Sequence, residues 1–249
     1  MNDKWRAYCH TMSAELGSES AEAFVGSLYR QTKGCVETAA KFFYQLGGQW
    51  SPLMSGWANW VRQNAEGPIA IILRDAKPLA ALKRTASWEK LYLNRVICGI
   101  PDELSGDSSN QQDPLLKRYL SQNGCSKYFT FVDSGCYGSV VLELHKLGVK
   151  FKPLFFFSKN PNIRGFLNEL EVPLTHGVIL NDSLECGFPH IYQRPTEFRK
   201  KDEKVAVRLV CADRLSVVFG TAAMRGVRET KTDPKITPVI AVQKLLSFA

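Results

Sequence analysis

Residues 127–157 read KYFTFVDSGCYGSVVLELHKLGVKFKPLFFF, and this stretch decides the fold. It divides into a strand, a polar loop, a helix and a second strand. Residues 128–132 are short, aromatic and β-branched, the composition of a strand covered on both faces. Asp133 is expected to end that strand. Ser134, Gly135, Cys136, Tyr137, Gly138 and Ser139 follow, and the two glycines permit a sharp turn or close approach to a ligand. Val140, Val141, Leu144 and Leu147 recur at helical spacing, and Gly148 is a helix stop. Residues 151–157 form the next strand. Parallel strands joined by one helix bring the Asp133 loop to the carboxyl edge of a sheet, where open α/β folds bind ligands. The helix after Ser139 aims its positive N-terminus into that loop. An acid with small residues at such a place suits a phosphorylated sugar or nucleotide.

A second unit of the same kind precedes it. Ile69-Ala70-Ile71-Ile72-Leu73 is the most apolar strand candidate in the chain. Arg74, Asp75, Ala76, Lys77 and Pro78 follow, then a short helix over 79–85 and a strand over 89–95 ending on Arg95. This alternation predicts an α/β fold, a mostly parallel twisted sheet with flanking helices, over residues 67–249. Between the units, residues 99–113 (GIPDELSGDSSNQQD) are polar and aperiodic, a loop of the kind that serves as a lid. A helix is expected over 114–122. Beyond the second unit the pattern predicts a turn at 158–162, a helix over 163–170 and a strand over 176–180. A strand over 204–211 and helices over 214–227 and 238–249 follow. Residues from about 195 onward form a less regular C-terminal part.

Residues 1–66 read as an N-terminal helical region. Ala21, Phe24, Val25 and Leu28 lie on one side of a helix over 18–31, with Ser20 as its cap. Ala39, Phe42, Phe43 and Leu46 continue the pattern until Gly47-Gly48, expected to stop it. Ser51-Pro52 is a cap with proline at the first helical position, opening another helix with Leu53, Trp57, Trp60 and Val61 as its stripe. The tryptophans read as helix packing rather than as a base-stacking platform.

The 249 residues are 45% hydrophobic and 22% charged, ordinary for a globular protein. There is no apolar run of membrane-spanning length and no secretory signal, so a cytoplasmic location is expected. Seven cysteines, an odd number without CxxC spacing, point to reduced thiols. The net charge of +8 suits nucleic acid, phosphorylated small molecules or an acidic protein as partner. Its densest run, Arg199-Lys200-Lys201, is diluted at once by Asp202 and Glu203 and reads as a solvated loop. The four histidines are not clustered. His145 reads as a surface or boundary residue of the central helix.

The two units together resemble the type I phosphoribosyltransferase family, over residues 67–158. In that family the first strand ends in a loop that holds the pyrophosphate of an activated ribose; here IAIILRDAKPLAAL stands in that place. A strand with a basic end follows, here LYLNR, then a flexible loop. The signature strand and phosphate loop correspond to FTFVDSGCYGSVVLELHKLG. The resemblance implies that Asp133 binds the ribose hydroxyls. Ser134, Gly135, Cys136, Tyr137, Gly138 and Ser139 would receive the 5′-phosphate. Arg74, Asp75 and Lys77 would frame the pyrophosphate, with Arg95 adding charge. Asp133 and Asp75 would be the carboxylates that act on an oxocarbenium-like sugar. Mg2+ would bridge pyrophosphate and ribose. Members of this family also serve as effectors in bacterial antiviral systems, including retrons.

The match departs from the family in three ways: Ser134 replaces the second acid, the loop is a residue short without its Thr-Gly pair, and Tyr137 is bulky. A catalytically silent module that binds a nucleotide or a nucleic-acid–protein complex is the alternative they favour. A second likeness is weaker. RDAKPL, YLSQNG and VDSGCYGS resemble a haloacid-dehalogenase-like group, which implies a phosphatase with Asp75 as nucleophile. The acid/base aspartate expected two residues on is Lys77.

Overall fold

A computed structural model describes residues 35–73, 76–95, 97–98, 113–188, 197–201, 203–209 and 214–247. Its centre is a five-stranded sheet of β1 (Ile69–Ile72), β2 (Glu89–Leu91), β3 (Phe129–Cys136), β4 (Phe151–Ser158) and β5 (Arg164–Gly165). The order is β2-β1-β3-β4-β5, and every pairing is parallel. The α/β expectation is met, with β1 and β3 at the centre. Their apolar runs are long enough to be covered on both faces. The order reverses between β1 and β3, the switch point at which open parallel sheets leave a crevice beyond their carboxyl ends.

Alternation along each strand sends side chains to two cores. Ile71, Val132, Leu154 and Phe156 face one layer of helices. These are α1 (Val36–Asn64), α6 (Leu174–Gly187), α7 (Arg214–Glu229) and α8 (Pro238–Leu246). Trp57 packs on Phe156 at 5.0 Å between ring centroids, and Trp50 lies against Phe156 and Phe188. Ala70, Ile72, Phe129, Phe131 and Phe155 face the other layer. There lie α3 (Asp113–Gln122), α4 (Ser139–Lys146) and the antiparallel hairpin β6 (Phe198–Lys201)–β7 (Lys204–Val207). The hairpin is held by Tyr119 against Phe198 and by Gln122, whose side chain pairs with both backbone groups of Val205. The tryptophans are core, as expected. Trp60 donates its indole N–H to Glu169 at 2.7 Å.

The helical region differs from expectation at its middle. Gly47-Gly48 does not stop a helix, and Ser51-Pro52 does not start one; α1 runs unbroken through both. The cause is α7. A Cβ on Gly47 would lie 2.0 Å from the Ala223 carbonyl oxygen, and one on Gly226 would lie 2.0 Å from that of Tyr44. The glycines are there because two helix backbones touch. Ser51 Oγ donates to the Val227 carbonyl at 2.9 Å across the same crossing. Pro52 costs one helical hydrogen bond, and its ring faces the carbonyl of Gly48. Packing on α7 outweighs these local breakers, as tertiary contact routinely outweighs propensity. Residues 18–31 lie outside the described region.

Other boundaries moved too. β3 does not end at Asp133 but continues through Cys136, with Gly135 opposite Phe157 and Cys136 opposite Ser158. β4 is long enough to keep pairing, and this extends the strand. β2 stops at Leu91, and the strand expected over 89–95 loses its second half. The short helix over 79–85 is α2 (Lys77–Ala80) followed by a 3-10 turn, Lys83–Thr85. Residues 163–170 hold β5 and the short α5 (Phe166–Glu169). The strand expected over 176–180 is helix, part of α6; Val178, Ile179 and Leu180 are β-branched or apolar, but the segment lies beside β4 and packs on it as a helix. The strand over 204–211 is shorter, and the helices at the chain's end are as expected. Among the described residues no helix is long and apolar enough to cross a membrane.

Candidate functional site

β3 and α4 carry the site. β3 delivers Asp133 and Ser134 to the carboxyl edge of the sheet. Asp133 Oδ1 accepts the Ser134 N–H at 2.8 Å, which fixes the carboxylate against its own strand. Ser134 is wholly buried, and its hydroxyl has no hydrogen-bond partner among the described residues. Only Tyr137 and Gly138 separate β3 from α4. Gly138 is the N-cap, at φ +78°, and no side chain caps the helix there. The first N–H groups of α4 therefore lack a protein acceptor of the usual kind, at the positive end of the helix dipole.

Gly135 has a different role from the one its loop position suggested. Its φ is +123°, and a Cβ there would lie 1.8 Å from the Phe157 carbonyl oxygen. The backbone it approaches is β4. The Gly135–Cys136 peptide is cis. Cys136 accepts the Lys159 N–H at its carbonyl, 2.9 Å away. Burial pushes the Cys136 thiol up to about 11, against a smaller opposing pull from Lys159. It is protonated at neutral pH, a poor nucleophile.

Neighbouring strands add cations. Lys77 opens α2 just beyond β1, the strand next to β3. Burial lowers its ammonium to about 8. Arg95 is exposed four residues beyond the end of β2, farther out on the same edge. Arg74 and Asp75 lie outside the described residues, as do 99–112, all of the expected lid but its last residue. Asp133, Ser134, Lys77 and the start of α4 are thus gathered on one edge by strand order, with Arg95 at its margin.

The sequence reading missed three groups. Lys159, just past β4, reaches Tyr137: its Nζ donates to the phenol oxygen at 3.1 Å and sits 4.9 Å from the ring centroid. That bond raises the Lys159 ammonium above its usual range. Tyr137 is 63% exposed, so the pair forms a rim rather than a plug. Asp182 and Glu185 on α6 bear electrostatically on Cys136. Burial raises the Asp182 carboxyl, partly offset by Lys159. No local signal could have placed α6 here, because its segment reads as a strand. Ser158 is braced by Asn168, whose amide bonds both backbone groups of Ser158 at 2.9 and 3.0 Å.

Among the described residues no three His, Cys, Asp or Glu side chains gather as a metal site. Asp133 alone is no cage for Mg2+. The fold and this edge define a class: a three-layer α/β protein with polar, cation-flanked strand ends at its switch point. Comparison with protein-family models gives no match, and comparison with curated proteins gives none either.

Proposed function

We propose that the carboxyl edge binds a phosphorylated ribose or nucleotide, as a phosphoribosyltransferase-like protein would. The observation that carries the reading is the uncapped first turn of α4, two residues beyond β3 and its buried Ser134 hydroxyl. Backbone N–H groups there suit a phosphate, whose charge the helix dipole favours. Asp133, oriented by the Ser134 N–H, suits the ribose hydroxyls. Lys77 suits a second phosphate group. Glycosyl transfer would use Asp133 to steady positive charge developing on the sugar.

Binding without turnover is the second reading. It is favoured by Ser134, a wholly buried serine where the family carries an acid. A phosphatase would need Asp75, which lies outside the described residues. An antiviral role has only the family resemblance behind it.

The test is thermal stabilisation by ribose 5-phosphate, phosphoribosyl pyrophosphate and nucleotides with Mg2+, followed by chromatography of the mixtures for products. Stabilisation by at least one of them is expected, since a ligand at a hundred times its Kd adds about 2.7 kcal/mol. Asp133→Ala should remove that shift, and with it any turnover, while folding normally. Full stabilisation of the Asp133→Ala protein would refute the assignment. A shift without product selects the silent module.

Lys77 gives the pH dependence. Between about 8 and its ordinary 10.5 the unfolded chain keeps a proton that the folded chain has released. Raising the pH through that window therefore favours the folded state. The stability gap between Lys77→Met and the natural protein, on the order of 3 kcal/mol at pH 7, should shrink from pH 8 to 10. Phosphate affinity should fall over the same range, because the neutral amine no longer attracts an anion. A gap that stays constant in denaturant titrations would show that Lys77 is not desolvated.

A further inference from the structure

The opposite edge of the sheet carries a group of six cations. Arg62 stands in the last turn of α1, before β1, and Lys83 and Arg84 in the turn before β2. Lys127 precedes β3, and Lys150 precedes β4. Lys90 bends back to the same edge, its ammonium donating to the Ala86 and Trp88 carbonyls at 3.1 and 3.0 Å. None of these six has an ion pair among the described residues. Two acids nearby are engaged, Glu66 with Lys152 at 2.5 Å and Glu143 with Lys146 at 3.0 Å; Glu89, at the start of β2, is the acid on this edge that the six cations outnumber.

Two of the cations are held toward each other rather than apart. Arg62 donates to the Arg84 carbonyl at 3.0 Å, and Arg84 donates to Asn59 Oδ1 at 2.9 Å. Neighbouring strands β2, β1, β3 and β4 set these groups in a row. With about 4.8 Å between strands, the row is about 14 Å long before the side chains extend it. In its middle stands Tyr128, 44% exposed. On α4, His145 is exposed and stacks on Phe151 at 4.5 Å.

We propose that this amino-terminal edge is a binding surface for single-stranded nucleic acid, with the cations on its phosphates and Tyr128 under a base. Cations interleaved with an exposed aromatic ring are the features such surfaces combine. The other polyanion to consider is a membrane of acidic lipids. An interfacial site needs apolar side chains to insert, and no exposed aliphatic side chain is found among the residues of this edge. The proposal does not depend on the ligand at the carboxyl edge.

The experiment is fluorescence anisotropy of the full chain with a labelled oligothymidylate of about 20 nucleotides. Neutralising about five phosphates gives a log–log salt slope near −3.5, about a hundredfold loss between 50 and 200 mM salt. Lys127→Glu with Lys150→Glu should weaken binding at least tenfold, as should Lys83→Glu with Arg84→Glu. Lys231→Glu with Lys235→Glu, the same charge change on the α7–α8 connection, should weaken it less than twofold. Tyr128→Ala should cost about tenfold. Equal losses in all three charge variants would overturn the proposal, as would absent binding at 50 mM salt. Binding to phosphatidylserine vesicles but not to the oligonucleotide would also overturn it. The Lys127 and Lys150 pair makes no hydrogen bond or ion pair among the described residues, so its result stands even if the Arg84 variant fails to fold.

Discussion

Gly47→Ala is expected to destabilise the protein by about 3 kcal/mol, although the same change stabilises most helices. The added methyl group would stand 2.0 Å from the Ala223 carbonyl oxygen, far inside contact distance. The atom it meets is backbone, so no side chain can swing aside. Either α7 shifts outward or α1 bends. Both loosen the stacked Phe43 and Phe219 rings, 5.1 Å apart, and the Ser51–Val227 hydrogen bond. Against this, alanine gains about 0.5–1 kcal/mol in helix propensity, too little to compensate. Gly226→Ala should behave alike, since its methyl would stand 2.0 Å from the Tyr44 carbonyl oxygen. The two changes strain one crossing, so their costs should not add. Denaturant midpoints measure this. A Gly47→Ala protein as stable as the parent would mean that α1 and α7 do not pack this closely.

Gly135→Ala is expected to cost still more, about 4 kcal/mol, or roughly 8–16 °C in melting temperature for a chain of this size. Two penalties combine. A φ of +123° is closed to most side chains. The methyl group would also lie 1.8 Å from the Phe157 carbonyl oxygen. Separating β3 from β4 there would disturb the end of the strand that holds Asp133. The expected loss appears without any ligand, and this distinguishes it from a binding defect. An alanine variant of parental stability that fails only in ligand binding would show that the glycine serves the ligand after all.

Much of the fold was legible because its signals are local. The strands at 69–72 and 129–132 announce themselves by β-branched and aromatic runs, and α4 by Val141 and Leu144 at helical spacing before Gly148. The alternation of strand and helix then implied a parallel sheet. The placement of the candidate site residues at one edge of the sheet was legible to the same depth. Asp133, Ser134 and Ser139 lie where the strand–helix junction was expected. Lys77 also reached the right edge, because β1 and β3 are neighbours. Gly135 stands against the β4 backbone, a contact that the residue type alone does not announce in sequence. Lys159, Asp182 and Glu185 could not be found, since they come from β4 and α6, and α6 carries β-branched residues that favour a strand when read alone.

By itself the sequence determined which segments alternate and that two strand–helix–strand units exist. The reason is that hydrophobic period and turn chemistry act over a few residues. Tertiary structure alone decided that α1 passes through two glycines and a proline, that β3 runs on to Cys136, and that residues 176–180 are helical. Each of these outcomes depends on a partner distant along the chain. For α1 the partner lies 176 residues away at the Ser51–Val227 bond, and a window of neighbouring residues cannot contain it.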